Sequence, residues 1–349
     1  MARQYRSRSV GVWLLLVIAM VYGMILVGGL TRLTNSGLSM VDWKPIMGAI
    51  PPLTLEDWQK TFDAYKSYPE YLLVNQGMTL DEFKSIFYWE YGHRVLGRVI
   101  GIAFFLPFVF FLVRGKLKAG IAGKLFVAFV LGGAQGLLGW YMVKSGLVNE
   151  PRVSQYRLAA HLGLAFALLS YLYWIFLEIS LRVRARIKEP SFKIVSLLVL
   201  AIISIQIFYG ALTAGLDAGL VYNTFPDMNG NIVPPGLTHQ KPMWKNFFEN
   251  AVAVQFIHRC LAWLTLGVVL LQFIWGWRCK VTGQQRWLQA ALLLMTLLQF
   301  ALGVGTLLLK VPVSVASLHQ AGAAVLLILA VTNCFIEWRL LKDRVGAFA

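Results

Sequence analysis

Hydrophobic residues fall along this chain in eight long blocks, near 11–30, 93–113, 122–143, 157–180, 192–215, 253–277, 287–309 and 316–337. A helix needs roughly 20 residues to cross a hydrocarbon core about 30 Å thick, and each block is long enough or nearly so. The blocks are continuously apolar and lack the alternation of a transmembrane barrel, which excludes that architecture. Pro107 inside the second block is compatible with a membrane helix. The pattern predicts an all-α polytopic membrane protein with eight transmembrane helices. Between the first and second blocks, residues 54–68 and 79–90 read as amphipathic stretches lying on the membrane surface. Thr79 and Glu82 form a candidate capping box.

The polar residues inside the blocks repeat. Glu90-Tyr91-Gly92-His93-Arg94 in the second block matches Gln255-Phe256-Ile257-His258-Arg259 in the sixth. Gln135 and Gly139 in the third match Gln299 and Gly303 in the seventh, and His161 in the fourth matches His319 in the eighth. Gly28-Gly29-Leu30-Thr31 in the first matches Gly210-Ala211-Leu212-Thr213 in the fifth. The expected plan is therefore two four-helix bundles, 1–188 and 189–349. An even number of helices per half gives both the same orientation, a parallel repeat.

Composition supports the membrane reading: 58% of residues are hydrophobic and 14% charged, against about a quarter charged in ordinary soluble domains. The net charge of +16 is not a nucleic-acid footprint, because the basic residues are sorted by side. Arg3, Arg6 and Arg8, the segments 114–124 and 182–193, Arg278, Lys280 and Arg286, and Arg339, Lys342 and Arg344 share one side if the helices alternate. The positive-inside rule places that side, and both termini, in the cytoplasm or mitochondrial matrix. A polar tail of only about ten residues favours a bacterial inner membrane over a mitochondrial one, and the first block reads as a retained helix, not a signal peptide. Basic loops also suit anionic membrane lipid. The three cysteines, Cys260, Cys279 and Cys334, lie in no external loop, and there is no C-x-x-C-H haem attachment motif. Cys260 is expected to pack in the core.

Four of the five histidines, His93, His161, His258 and His319, stand at corresponding places in the four even-numbered blocks. Imidazole is costly in hydrocarbon and usually has a partner. Two pairs at one depth suggest two bis-histidine metal or haem sites, since bundle cores house such sites and histidine is a common axial ligand. Zinc is a poorer fit, because it asks for four ligands at one point. Arg94 and Arg259 adjoin the first histidine of each pair, and Arg157 precedes His161 by one turn. Guanidinium grips carboxylates such as haem propionates; snorkelling to lipid headgroups is the other reading of Arg94 and Arg157. Arg98 lies deeper and suits a propionate or a protein partner. Glu90, three residues before His93, is replaced by Gln255 in the other half. That asymmetry suggests one site for chemistry, with Glu90 moving protons, and one for electron transfer. His239 lies in the second long loop and reads as a surface residue.

Several longer stretches resemble the haem A synthase family in its mitochondrial and proteobacterial form. They are Gly28–Trp43 (GGLTRLTNSGLSMVDW), Glu90–Arg94 (EYGHR), Gln135–Leu147 (QGLLGWYMVKSGL), Pro151–His161 (PRVSQYRLAAH), Gly215–Pro226 (GLDAGLVYNTFP), Gln255–Arg259 (QFIHR) and Leu318–Gln320 (LHQ). The resemblance implies an eight-helix oxidoreductase that oxidises a porphyrin methyl of haem O to the formyl group of haem A, through hydroxylation, for cytochrome c oxidase. It implies that His93 and His161 hold the substrate haem, with Glu90 catalytic, and that His258 and His319 ligate a resident haem b. It further implies partners among haem O synthase and cytochrome c oxidase assembly factors, and a homo-oligomer. Family members with a cysteine pair in the first external loop differ from this chain, which has none there. The four histidines also suit a second reading, a bis-haem carrier similar to membrane cytochromes b that exchanges electrons with quinone. Glu90 and the matched loops favour the enzyme.

Overall fold

The computed structural model describes residues 8–41, 50–146, 152–181, 191–279 and 281–345. Among the described residues there are ten α-helices: α1 (Arg8–Leu33), α2 (Leu55–Lys66), α3 (Pro69–Leu73), α4 (Leu80–Val113), α5 (Ala119–Gly146), α6 (Gln155–Ser180), α7 (Ser191–Gly215), α8 (Ala251–Arg278), α9 (Gly283–Leu308) and α10 (Val313–Val345). Among the described residues there is no strand, only an isolated bridge between Met228 and Asn231. All but α2 and α3 are long and apolar enough to cross a membrane, giving the eight expected spans. A helix satisfies its own backbone hydrogen bonds, which hydrocarbon demands. Large apolar side chains point outward along these helices: Leu137, Leu271 and Leu294 are 67%, 65% and 67% exposed. Apolar outer helix faces of that kind suit lipid, not water. The protein is a multi-pass membrane protein.

Side-chain caps set several helix starts. Thr79 and Glu82 form the anticipated capping box at α4. Thr54 with Asp57 does the same for α2, and Thr282 with Gln285 for α9. Asn250 accepts from the amides of Val252 and Ala253 to open α8. Each cap answers backbone donors that the first turn cannot pair internally.

Residues 79–90 are not a separate surface helix. They are the outer part of α4, which runs unbroken for 34 residues, about 51 Å at 1.5 Å per residue. That exceeds the roughly 30 Å hydrocarbon thickness, so about two fifths of the helix stands outside it. The reason is a packed cap. Trp58, Phe62 and Tyr65 from α2 bury against Phe83 and Phe87 of α4. Phe62 stacks on Phe83 with centroids 4.9 Å apart, and Trp58 meets Phe87 edge-on at 5.0 Å. Burial of these rings holds the outer turns of α4 helical.

Two compact units result. One spans Leu16–Ala165; the other takes the chain on either side of it. The boundary expected at 188/189 falls outside the described residues, as do Arg3, Arg6, Lys280, the basic segment 182–190, and the ends of the family-like stretches at 42–43, 147 and 151. In the second unit α7 and α9 each pack against both α8 and α10, closing a ring of four helices. A buried polar knot ties it: Gln272 and Asn333 both donate to Ser196 Oγ at 3.1 Å.

Candidate functional site

Each of the four intramembrane histidines meets a glycine on the membrane-spanning helix before it. In the Leu16–Ala165 unit, a Cβ on Gly28 of α1 would stand 3.1 Å from His93 Nε2 of α4. A Cβ on Gly139 of α5 would stand 3.0 Å from His161 Cε1 of α6. In the other unit, Gly210 of α7 backs His258 of α8 at 3.2 Å and Gly303 of α9 backs His319 of α10 at 2.9 Å. At Gly303 a Cβ would force the ring to shift, and at the other three the imidazole would have to give by a few tenths of an ångström. Glycine lets the imidazole lie against the neighbouring backbone, which fixes its place without adding a polar partner. His93 lies within electrostatic range of His161, and His258 within that of His319. The structure thus brings together the two pairs expected from sequence, one in each unit.

The donor set fits haem better than a bare metal ion. Among the described residues no group of three or more His, Cys, Asp and Glu could share an ion. Two imidazoles supply the two axial positions of a porphyrin iron, which brings its own four nitrogens. Nδ1 of His161, His258 and His319 is buried with no hydrogen-bond partner. Buried polar atoms normally have partners, so three orphaned ring nitrogens at matching positions mark side chains available as ligands.

Glu90 is 3% exposed and is held by the segment that follows α1. Ser39 Oγ and the Met40 amide each donate to Oε2 at 2.8 Å. Arg94, one turn on, donates to Oε1 and to the Met40 carbonyl at 3.0 Å. The equivalent residues of the other unit hold a loop in the same way without the ion pair. Gln255 donates to the Tyr222 carbonyl at 3.0 Å. Arg259 donates to the carbonyls of Tyr222, Thr224 and Asp227, each at 2.9 Å. The Gly230 amide and the Thr224 hydroxyl in turn hold the Asp227 carboxyl below the usual carboxylate range. Arg157 lies over the Tyr141 ring at 5.4 Å, and Arg98 is half-buried on α4 beyond Arg94.

Two further groups escaped the sequence reading. Gln206 of α7 brings its amide to 3.5 Å from His258 Nε2; its signal was the four-residue spacing to Gly210 that Gln135 and Gln299 keep with their glycines. Glu70 of α3 is buried in the outer cap, where the Tyr65 hydroxyl donates to it at 3.0 Å and Asn75 donates to Tyr65 at 2.8 Å. Burial pushes the Glu70 carboxyl up to about 8, despite the Tyr65 hydrogen bond, and the charge of Glu90 adds to the rise. No local pattern marked it. One expectation is corrected: Cys260 is exposed, not core. Two residues past His258, it turns to the outer face of α8, where a weakly polar thiol is tolerated. His239 is exposed as expected, with Nδ1 2.7 Å from the Gly236 carbonyl.

Eight membrane helices carrying two glycine-backed imidazole pairs define the class: a polytopic membrane protein with two candidate haem sites. The chain belongs to the COX15-CtaA family of cytochrome oxidase assembly proteins, which it matches over residues 11–331. It is 45% identical over 323 residues to the heme A synthase of Nitrosospira multiformis, covering 92% of this chain and 91% of that one. It is 47% identical over 323 residues to the heme A synthase of Parvibaculum lavamentivorans, covering 91% of each. With that of Paramagnetospirillum magneticum it shares 48% over 330 residues, covering 92% of each.

Proposed function

We propose that this protein is an oxidoreductase that converts haem O to haem A, oxidising one porphyrin methyl through the hydroxymethyl stage to a formyl group. The observation that carries the reading is the duplicated, glycine-backed imidazole pair with a carboxylate beside only one of them, in a chain that nearly half matches heme A synthases along its length.

In this reading His93 and His161 hold the iron of the substrate, haem O, and His258 and His319 hold a resident haem b. The haem b, when bound, supplies a one-electron relay. Glu90 accepts and passes on protons released as the methyl is oxidised, and Arg94 and Ser39 fix where its carboxylate oxygens point. Arg98 and Arg157 are placed to grip propionates; Arg94 and Arg259 act chiefly by pinning the outer loops over the two sites. The glycines bring each imidazole against backbone, and the surrounding helices exclude water. Both termini are cytoplasmic, in a bacterial inner membrane. Haem O synthase is the natural supplier of the substrate and cytochrome oxidase assembly factors the natural recipients of the product; a homo-oligomer and an external electron partner complete the expected company.

The test is extraction and chromatography of haems from cells that express the chain together with a source of haem O. Haem A, absent without the chain, is expected. Haem b alone in a folded protein would replace this reading with that of a bis-haem electron carrier.

A further inference from the structure

Three of the four imidazoles share a feature that the fourth lacks. On α5, α7 and α9 a glutamine stands four residues before the backing glycine: Gln135 before Gly139, Gln206 before Gly210, Gln299 before Gly303. Residues one turn apart face the same neighbour, so each amide lies beside the histidine its glycine supports. Gln135 donates to the His161 carbonyl at 3.0 Å, with its amide nitrogen 3.4 Å from Nε2 of the ring. Gln206 stands 3.5 Å from His258 Nε2. Gln299 donates to the His319 carbonyl at 2.6 Å.

On α1 the residue four before Gly28 is Met24. A thioether has no hydrogen to donate and accepts only weakly. The Met24 methyl instead rests near Gly97, one turn beyond His93 on α4, where a Cβ would stand 3.2 Å from it. The His93 ring is also turned differently. Its Nε2 is the atom nearest the backing glycine, whereas Cε1 is nearest in the other three. Among the described residues no side chain hydrogen-bonds to the His93 ring.

We propose that Met24 is a positioning residue that leaves His93 as the releasable axial imidazole, so that the substrate site alone admits a neutral diatomic ligand such as dioxygen. The inference rests on the assignment of His93 and His161 to the haem O iron. An iron between two imidazoles has no free position, and a ligand enters only when one imidazole leaves. His93 is the one of the four that no glutamine side chain meets, at ring or backbone carbonyl. The flexible, polarisable Met24 side chain can repack beside the displaced ring. At His161 and His258 the glutamine amide stands against the ring and opposes the same movement, and at His319 it holds the histidine's backbone carbonyl.

The experiment uses the purified full chain carrying haem b and supplied with haem O, reduced and titrated with carbon monoxide. Absorption follows the adduct, and electron paramagnetic resonance of the oxidised protein reports bis-imidazole ligation independently. The wild type should bind carbon monoxide on one haem only. Met24→Gln should weaken that binding about fivefold, the worth of one ordinary hydrogen bond, with haem b content unchanged as the control for folding. Met24→Leu, which adds no amide, should behave as the wild type. Gln206→Met should give the haem b site carbon monoxide binding that it otherwise does not show. The proposal is overturned if the wild type binds none with haem O in place, if Met24→Gln with intact haem b binds as the wild type does, or if Met24→Leu weakens binding as much as Met24→Gln. If instead haem O uptake survives loss of both His93 and His161, the site assignment itself fails and takes the proposal with it.

Discussion

Arg94 and Glu90, one turn apart on α4, close on each other and on the backbone of Met40. The pair has 9% and 4% side-chain exposure, so neither charge is relieved by water. The same two positions in the other unit, Gln255 and Arg259, hold their loop through carbonyls alone. The carboxylate is therefore not needed to pin a loop, and its presence on one side only points to chemistry.

Glu90→Gln should keep the Ser39 and Met40 contacts in outline but leave Arg94 without its anion. Haem A formation should fall by two to four orders of magnitude, the usual reach of a general acid or base. Haem content should persist. Breaking a buried pair costs about 3–5 kcal/mol, so a lower melting temperature is expected alongside. Unchanged turnover with both haems bound would remove Glu90 from the catalytic role.

The glycines behind the histidines should rank by clearance. Gly303→Ala, with 2.9 Å to His319, should disturb haem binding more than Gly210→Ala, with 3.2 Å to His258. Overpacking of this kind costs typically 1–3 kcal/mol. Haem b per protein, by pyridine haemochrome, checks both variants; equal occupancy in the two would show that the imidazoles adapt freely.

Arg259→Ala separates two roles. If the guanidinium mainly pins residues 222–227, the variant should retain haem b while that loop becomes sensitive to protease. Loss of several hydrogen bonds to a charged donor, each worth about 1.5–3 kcal/mol, makes the opening readily measurable. Loss of haem b with an unaltered digestion pattern would instead make Arg259 a propionate ligand.

The outer cap should weaken as pH rises. Burial pushes the Glu70 carboxyl up to about 8 in the folded protein, well above its ordinary value. A raised carboxyl favours the protonated state, so its contribution is intact below about 4.5, declines as pH rises towards 8, and is constant above. Glu70→Gln keeps a neutral group there. Hydrogen exchange of α2 and α3 amides, compared between wild type and variant at each pH, should show a protection difference that grows from pH 5 to 8 and then levels. A difference independent of pH would place the Glu70 titration elsewhere.

Much of the site was legible before folding was considered. His93, His161, His258 and His319 stood out because an ionisable group inside an apolar run is rare whatever surrounds it. Thr79 with Glu82 announced a helix start, since a capping box closes within one turn. The same local logic erred where a partner far along the chain decides. Residues 79–90 looked like a surface helix until Trp58, Phe62 and Tyr65 packed on Phe83 and Phe87. Cys260 was given a core place because a small apolar residue suits either face of a helix.

By itself the sequence determined the eight membrane helices, the four histidines and the unequal residues Glu90 and Gln255, because hydropathy, capping and residue identity are local properties. Only the tertiary structure decided that a glycine backs each of the four membrane histidines, that Glu70 is buried, and that Met24 takes the place held elsewhere by a glutamine amide. Those facts depend on which helix faces which and at what height. That is fixed by packing between residues on different helices, 16 positions apart for Gly303 and His319 and 65 apart for Gly28 and His93, and no short-range pattern records it.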